Sequence, residues 1–399
     1  MTSNDALPET MRAYRVHEYG ENLTKALQLD EVPVPMPGPG ELLVRVEALP
    51  LNLNDIERVN GRNMMVRPEL PCTPGMEVMG RVAACGDGVD GWQDRRVVAM
   101  PKQATGGFAD YAICPVVSAF DMPDSVPLPD AAALYFPFHL AWLGLIDRAA
   151  LKAGETVLIH AAAGGAGSAA IQIAKDIGAT VIATVGSEEK MQLCRDLGAD
   201  TVINYSEQDF QEIVMEATGN RGVEVVFDNV GAAVMDASMK CTAYNGRYLM
   251  MGFASDKSHA DEKFVVPRSV SAGNLRLCGV LLAYADENIG PMMKKAMGWN
   301  FVPDKLGESV MSEIVDRVVS GRIKAVIGKT VSFEQVPHAL EDKRARETVE
   351  RTIVTLELGV GSWRWEGGGG VLAWGSCRGP RAKPHAIPHQ RVCKTPARV

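Results

Sequence analysis

Between Glu155 and Ala217 the sequence three times sets a strand-like run before a helix-like one, and this alternation restricts the fold more than any other stretch. Thr156-Val157-Leu158-Ile159 is a β-branched apolar run of the kind buried in parallel sheets. It leads into Ala161-Ala162-Ala163-Gly164-Gly165-Ala166-Gly167, where every residue is small. Ser168 to Ile177 then carries apolar residues at helical spacing and stops at Gly178, a good left-handed cap. A second strand (Thr180 to Thr184), a second helix (Glu188 to Leu197, stopped by Gly198) and a third strand (Thr201 to Asn204) follow. A strand, a glycine turn and a helix bring backbone N–H groups and a helix N-terminus against a pyrophosphate. Ala163, Gly164, Gly165, Ala166 and Gly167 are the expected contacts.

The tip of the second strand indicates which dinucleotide. Chains selective for NAD place Asp or Glu there, to bind the ribose 2′-hydroxyl. Here the strand ends in Thr184-Val185-Gly186-Ser187, with Lys190 just beyond, and a lysine suits a 2′-phosphate as a point charge. Gly186, Ser187, Lys190 and Tyr205 are therefore expected around the adenosine, and NADPH is the expected cofactor. The competing reading makes Ser187 a helix N-cap, Glu188 and Glu189 partners of the helix dipole, and Lys190 a solvated helix residue.

The chain has 399 residues and a net charge of −8, which disfavours nucleic acid as the main partner. No apolar run approaches the ~20 residues of a membrane span, and Met1 to Arg12 lacks a signal-peptide layout. Its eight cysteines include no C-x-x-C pair, which points to a reduced, cytoplasmic protein.

Residues 11–133 are a different kind of sequence. Short β-like runs (Leu42 to Val46, Val78 to Ala84, Arg96 to Met100) alternate with turns at Pro37-Gly38-Pro39-Gly40, Pro74-Gly75, Gly86-Asp87-Gly88 and Gly106-Gly107. Residues 134–278 form the expected nucleotide-binding unit: mostly helical sequence to Ala150, then the alternating strands and helices, with a helix near Glu207 to Ala217 and a strand at Arg247 to Met251, ending with an apolar strand in Gly273 to Leu282. Residues 279–358 are expected to return to the first unit through a closing strand, Thr352 to Leu356. Residues 359–399 hold four consecutive glycines, Trp363, Trp365 and Trp374, and seven Lys or Arg against one acid, Glu366. That tail reads as disordered or weakly attached.

Several short runs, in this order and spacing, resemble the medium-chain dehydrogenase/reductase superfamily, and within it the zinc-free quinone oxidoreductase (ζ-crystallin-like) family. They are Asn52-Leu53-Asn54-Asp55 with Arg58 and Gly61, Pro71 to Gly80, Gly106 to Tyr111, His160 to Gly167, Gly186 to Lys190, Ile203-Asn204-Tyr205, and Phe227 to Gly231. The resemblance covers roughly Met11 to Leu358. It implies an α/β protein: a GroES-like β-rich catalytic domain beside a Rossmann domain with a doubly wound parallel sheet, with NADPH between them. It also implies a homodimer. Asn52 and Asp55 match positions near the nicotinamide, Asn229 a cofactor contact, and Arg346 an arginine near the cofactor. For Asn52 and Asp55 the alternative is local turn chemistry; for Arg346 it is a solvated helix-end charge.

The superfamily's zinc enzymes need Cys and His ligands at an open site. The cysteine place in Asn52–Asp55 is not cysteine, and the histidine place is Met76, a poor zinc ligand. No metal is expected, and Glu77 reads as a buried hydrogen-bonded carboxylate. Without a Lewis acid, reduction of an activated acceptor, a quinone or an α,β-unsaturated carbonyl, is expected rather than alcohol oxidation. His139 is a candidate proton donor, with helix packing as its alternative. Some positions depart from the family: Glu57 replaces tyrosine, Leu140 replaces threonine, and Asp94 and Glu350 replace glycines. Glu57 and Leu140 keep open a nucleotide-binding protein with little turnover, acting as sensor, scaffold or structural protein. An acyl-thioester enoyl reductase would need a basic groove, and no basic cluster suggests one.

Overall fold

A computed structural model describes residues 7–62, 67–251, 267–345 and 350–356. The alternating segment forms a six-stranded, all-parallel sheet. Across the sheet the strands run Thr201–Asn204, Thr180–Val185, Thr156–Ile159, Val223–Asp228, Thr242–Met250, Arg276–Gly279. That is the order 3-2-1-4-5-6, with the reversal between the first and fourth strands.

The period-2 pleat explains why these strands read as continuous apolar runs: both faces are covered. Val157, Ile159, Val181, Ala183, Val225 and Phe227 pack into one core with Ala169, Ala170, Ile171 and Ile173 of the Gly165–Ile177 helix. Leu158, Ile182, Ile203 and Val226 point the other way, into a second core with Val214, Met235 and Met239. Each buried Val, Leu, Ile, Met or Phe among them stabilises by about 1.5–3 kcal/mol.

The Gly/Pro-rich segment forms a seven-stranded sheet ordered Ile327–Ser332, Arg351–Thr355, Glu41–Pro50, Val78–Cys85, Arg96–Ala99, Ala119–Asp121, with Tyr111–Pro115 also paired to Glu41–Pro50. All its pairings are antiparallel except the first. Leu42, Val44, Val82, Val97, Phe108 and Val354 build its core. A separate antiparallel pair, Thr10–Val16 and Leu27–Pro33, lies at the start of the described chain.

Most sequence-expected elements occur within a residue or two of their expected ends. The helix expected near Glu207 begins at Phe210, because Asp209 caps it through the Gln211 N–H at 2.8 Å. The strand expected at Arg247 starts earlier, at Thr242, and the apolar strand in Gly273 to Leu282 is only Arg276–Gly279. Pro127 to Ala150 is helical in three pieces: a 3₁₀ turn Asp130–Ala133, the linking helix Tyr135–Trp142, and a π turn Leu143–Arg148. Asp94 holds φ 62° and Glu350 φ 70°, so both family glycine positions keep left-handed backbone after the glycine is lost. Among the described residues no helix is long and apolar enough to cross a membrane. The tail 359–399 lies outside the described residues.

Candidate active site

Four expected cofactor segments follow the C-terminal ends of four adjacent strands, across the point where strand order reverses. Ligands bind at that place in open α/β sheets. The Thr156–Ile159 strand ends at His160, the chain turns through Ala161 at φ 50°, and the helix starts at Gly165. A β-carbon at Gly167 would lie 2.4 Å from the Ala161 oxygen and 2.6 Å from the Ala162 Cα, so this position needs glycine. Ala163 is buried, Gly164 exposed, and Gly165 and Ala166 half-buried. The N–H groups of Gly165, Ala166 and Gly167 find no acceptor among the described residues, at the positive end of a 13-residue helix. A helix start of this kind suits an anion, which in the expected reading is the cofactor pyrophosphate.

At the second strand tip, Ser187 caps the Glu188–Asp196 helix, accepting the Lys190 N–H at 3.5 Å. Both sequence readings of Ser187 and Lys190 thus stay compatible with the geometry. The Lys190 side chain is half-buried and has no ion pair among the described residues. Tyr205 donates its N–H to the Val185 carbonyl at 3.0 Å and lays its phenol over Gly186. A β-carbon at Gly186 would lie 2.7 Å from that hydroxyl. Asn229 is half-buried in the loop after Val223–Asp228, where the Asp228 carboxylate accepts the N–H groups of Val230 (2.7 Å) and Gly231 (2.9 Å). Burial raises the Asp228 pKa against the opposing hydrogen bond from Tyr248.

The β-rich unit brings a charged network to the same loop. Glu77 is buried and accepts from the Phe136 N–H (3.0 Å), Asn52 Nδ2 (3.2 Å) and Arg351 Nη2 (2.7 Å). Arg351 Nη2 also donates to Asn52 Oδ1 at 3.3 Å. A β-carbon at Gly165 would lie 3.6 Å from the Arg351 side chain and 3.7 Å from Pro137 Cβ, so this network abuts that helix start. The Arg351 Nε is buried with no partner, a donor atom left open beside it.

Asn52 is the N-cap of the Leu53–Asn60 helix, and Asp55 sits behind it. The fully buried Asp55 carboxylate accepts the N–H groups of Asn52 (2.8 Å) and Met76 (3.0 Å). Burial pushes its pKa up to about 6, opposed by Arg58 and the two N–H donors. Burial likewise lowers Lys343 to about 8, helped by Arg351 and opposed by Asp55. Asn52 thus faces the network, while Asp55 holds the turn that carries it, the turn chemistry weighed from sequence.

The surroundings of His139 match the helix-packing alternative weighed from sequence. The imidazole is fully buried among Phe120, Tyr135 and Tyr284, with Nδ1 2.6 Å from the Tyr284 hydroxyl. Burial lowers its pKa to about 3, so the imidazolium form, the stronger acid, is disfavoured at physiological pH. Arg346 lies outside the described residues. The arginine that meets the loop is Arg351, which sequence reasoning passed over. Its signal was a lone basic residue opening an otherwise uncharged closing strand, Arg351-Thr352-Ile353-Val354-Thr355.

The donor set does not suit zinc. Met76 stands at the histidine place and Asn52–Asp55 holds no cysteine, and among the described residues no group of three His, Cys, Asp or Glu is arranged to hold a metal. Arg58 Nη1 approaches the Met76 sulfur at 4.0 Å instead.

Family models match two segments: an alcohol dehydrogenase GroES-like domain at residues 38–124 and a zinc-binding dehydrogenase domain at 165–298. A quinone oxidoreductase of Sus scrofa is 32% identical over 242 residues, covering 61% of this chain and 73% of that protein. A 2-haloacrylate reductase of a Burkholderia species is 35% identical over 229 residues, 57% and 69% of the two chains. A mycobacterial protein solved in complex with NADPH superposes with a TM-score of 0.74 at 31% identity, covering 86% of this chain and 99% of that one. The chain belongs to the medium-chain dehydrogenase/reductase superfamily, in its zinc-free quinone oxidoreductase family. Members of this family are oxidoreductases built from a GroES-like and a Rossmann part, and both parts are present here.

Proposed function

We propose that this chain uses NADPH to reduce quinones or α,β-unsaturated carbonyl compounds. The observation that carries the reading is the open anion site at Gly165–Gly167 with Arg351 beside it, one strand away from a carboxylate-free tip holding Ser187, Lys190 and Tyr205. The NADPH-bound neighbour and the quinone- and haloacrylate-reducing relatives support the same reading.

In this reading the helix amides and Arg351 hold the pyrophosphate. Lys190 and Ser187 hold the 2′-phosphate, with Tyr205 against the adenosine and Asn229 beside the ribose end. Bound NADPH supplies a hydride, and one proton from water completes the reduced product. The protein's share is to fix the acceptor near the hydride donor, worth several kcal/mol of barrier through orientation alone. Asn52, held between Glu77 and Arg351, and the Pro137–Leu140 segment line that place. Asp55 positions Asn52 through its N–H. With no zinc ligands, polarisation of an alcohol oxygen has no source in these side chains, whereas a conjugated acceptor needs none.

We also propose a cytoplasmic homodimer formed along Arg276–Gly279, the exposed edge strand of the parallel sheet. Analytical ultracentrifugation tests the dimer; a monomer at micromolar concentration rejects it.

The test of function compares wild type with Lys190→Glu against a quinone and enone panel, with both nicotinamide cofactors. Removing one charged partner of a phosphate costs roughly 10- to 100-fold in NADPH affinity. NADH affinity should hardly change. Equal effects on both cofactors reject the assignment of Lys190. NADPH binding without turnover on any acceptor rejects the reductase reading.

A further inference from the structure

Three of the expected cofactor segments are tied together by one buried side chain, that of His160. The residue directly follows the Thr156–Ile159 strand, opens the glycine turn and is 1% exposed. Its N–H donates to the Phe227 carbonyl at 3.0 Å, which carries the strand pairing one residue further. The pleat then decides where the ring goes. His160 and Thr184 continue the face of Leu158 and Ile182, the face of the second core. Phe210 closes one side of the imidazole, the two rings 5.0 Å apart and edge to face. Burial lowers the imidazole pKa to about 3, so the ring is neutral.

Both ring nitrogens have partners. Nδ1 lies 2.8 Å from the Thr184 hydroxyl and Nε2 2.7 Å from the Ser238 hydroxyl. The buried Ser238 hydroxyl donates its one proton to the Val234 carbonyl at 2.7 Å, which leaves only lone pairs for the ring. Nε2 therefore carries the ring proton and donates to Ser238, while Nδ1 accepts from Thr184. Each partner leads to a cofactor segment. Thr184 stands just before Gly186 and Ser187, and its carbonyl also accepts the Ala162 N–H of the glycine turn at 3.2 Å. Ser238 lies on the Ala232–Lys240 helix, into which the loop bearing Asn229 runs directly. The Gly231 carbonyl of that loop accepts the N–H groups of Val234 (3.0 Å) and Met235 (3.2 Å).

We propose that His160 is a positioning residue for the cofactor: its two hydrogen bonds hold the glycine turn, the tip that takes the 2′-phosphate and the helix behind Asn229 at one spacing before the cofactor arrives. The inference rests on the NADPH reading above. A dinucleotide that bridges turn and tip gains from a preset spacing, because loops already ordered lose less freedom on binding. NADH has no 2′-phosphate to engage the tip and gains less. The imidazole thus acts on cofactor choice through Thr184.

The experiment titrates NADPH and NADH by nucleotide fluorescence into wild type, Thr184→Val, His160→Leu and His160→Gln. A thermal melt accompanies each sample, and nitrogen–proton NMR of the histidine rings reads the tautomer. Thr184→Val deletes one hydroxyl and keeps the buried shape. His160→Leu removes both hydrogen bonds, and His160→Gln restores a donor and an acceptor. The expected result is an NADPH Kd weakened about 3- to 10-fold in Thr184→Val and His160→Leu, with NADH changed by less than about twofold. His160→Gln should recover most of the loss, and the wild-type spectrum should show a protonated Nε2. Unchanged NADPH affinity in Thr184→Val overturns the inference and leaves the NADPH reading standing. Equal loss for both cofactors, or a wild-type ring protonated at Nδ1, does the same. Should His160→Leu fail to fold, Thr184→Val and the spectrum decide. Wild type that binds no NADPH defeats both.

Discussion

Arg351→Met should be among the most damaging single substitutions outside the two cores. The guanidinium meets Glu77 at 2.7 Å, with the two side chains 6% and 1% exposed. Methionine fills much of the volume but leaves Glu77 buried with only two neutral donors, Asn52 Nδ2 and the Phe136 N–H. Breaking one partner out of a buried pair costs about 3–5 kcal/mol, a large share of the ~5–15 kcal/mol that holds a domain folded. Most of that cost is the abandoned charge, so adding Glu77→Gln should recover more than half. The glutamine oxygen still accepts from Phe136, and the Asn52 amide, released by Arg351, can turn its oxygen toward the new NH₂ group. Urea unfolding of the wild type, both single variants and the double variant gives the coupling energy directly. NADPH titration of the same proteins should show the double variant folded yet at least tenfold weaker in cofactor binding. A loss below 1 kcal/mol in Arg351→Met, or no recovery in the double variant, would refute the reasoning.

Asp94→Gly should raise stability by about 0.5–1 kcal/mol, since φ 62° suits glycine and the Asp94 carboxylate accepts only a 3.4 Å hydrogen bond from the Gln93 side chain among the described residues; a lower melting temperature contradicts this. Gly167→Ala should cost about 1–3 kcal/mol and weaken NADPH binding, because the new methyl meets backbone at 2.4 Å rather than a yielding side chain. An unchanged melt and an unchanged Kd would show that the turn can give. His139 and His160 are both buried and lowered to about 3, so the unfolded chain takes up two protons near pH 6.5 that the fold refuses. Stability should therefore fall as pH drops below 6.5, by about 1.4 kcal/mol per unit for each histidine. Asp55, raised to about 6, opposes this between pH 6 and 3.8, leaving a net loss of about 3 kcal/mol from pH 7 to 5. Urea midpoints that do not move between pH 7 and 5 would refute this, as would a His139→Leu variant with the wild-type slope.

The nucleotide half was legible because its signals are local: each strand, glycine turn and helix stop falls within a few residues. The β-rich half showed its strands and turns but not its closure, since the pairing of Arg351–Thr355 with Glu41–Pro50 joins residues some 300 positions apart. Arg351 escaped for that reason, because its partners Asn52, Glu77 and Gly165 come from three distant segments. His139 kept two readings open because an imidazole on a helix beside the expected cleft looks the same in sequence whether it faces solvent or, as here, three aromatic rings. Gly186 and Tyr205 were expected around one adenosine; the structure shows the phenol occupying the space a side chain at 186 would need.

The seam between Glu41–Pro50 and Arg351–Thr355 also sets a timetable. During synthesis the residues at Ala48–Pro50 stand without their partner strand until the chain has been extended by about three hundred residues. At ~5–20 residues per second that is roughly 15–60 s, long enough for the intervening parallel sheet to form from neighbouring segments. Arg351 arrives with that partner strand, so Glu77 and Asn52 gain their cation only some 270 to 300 residues after their own synthesis. The nascent protein thus carries an unfinished sheet edge and an uncompensated acid until Arg351–Thr355 emerges. A ribosome that stalls before Arg351 leaves an otherwise folded nucleotide domain tethered to an open, adhesive strand.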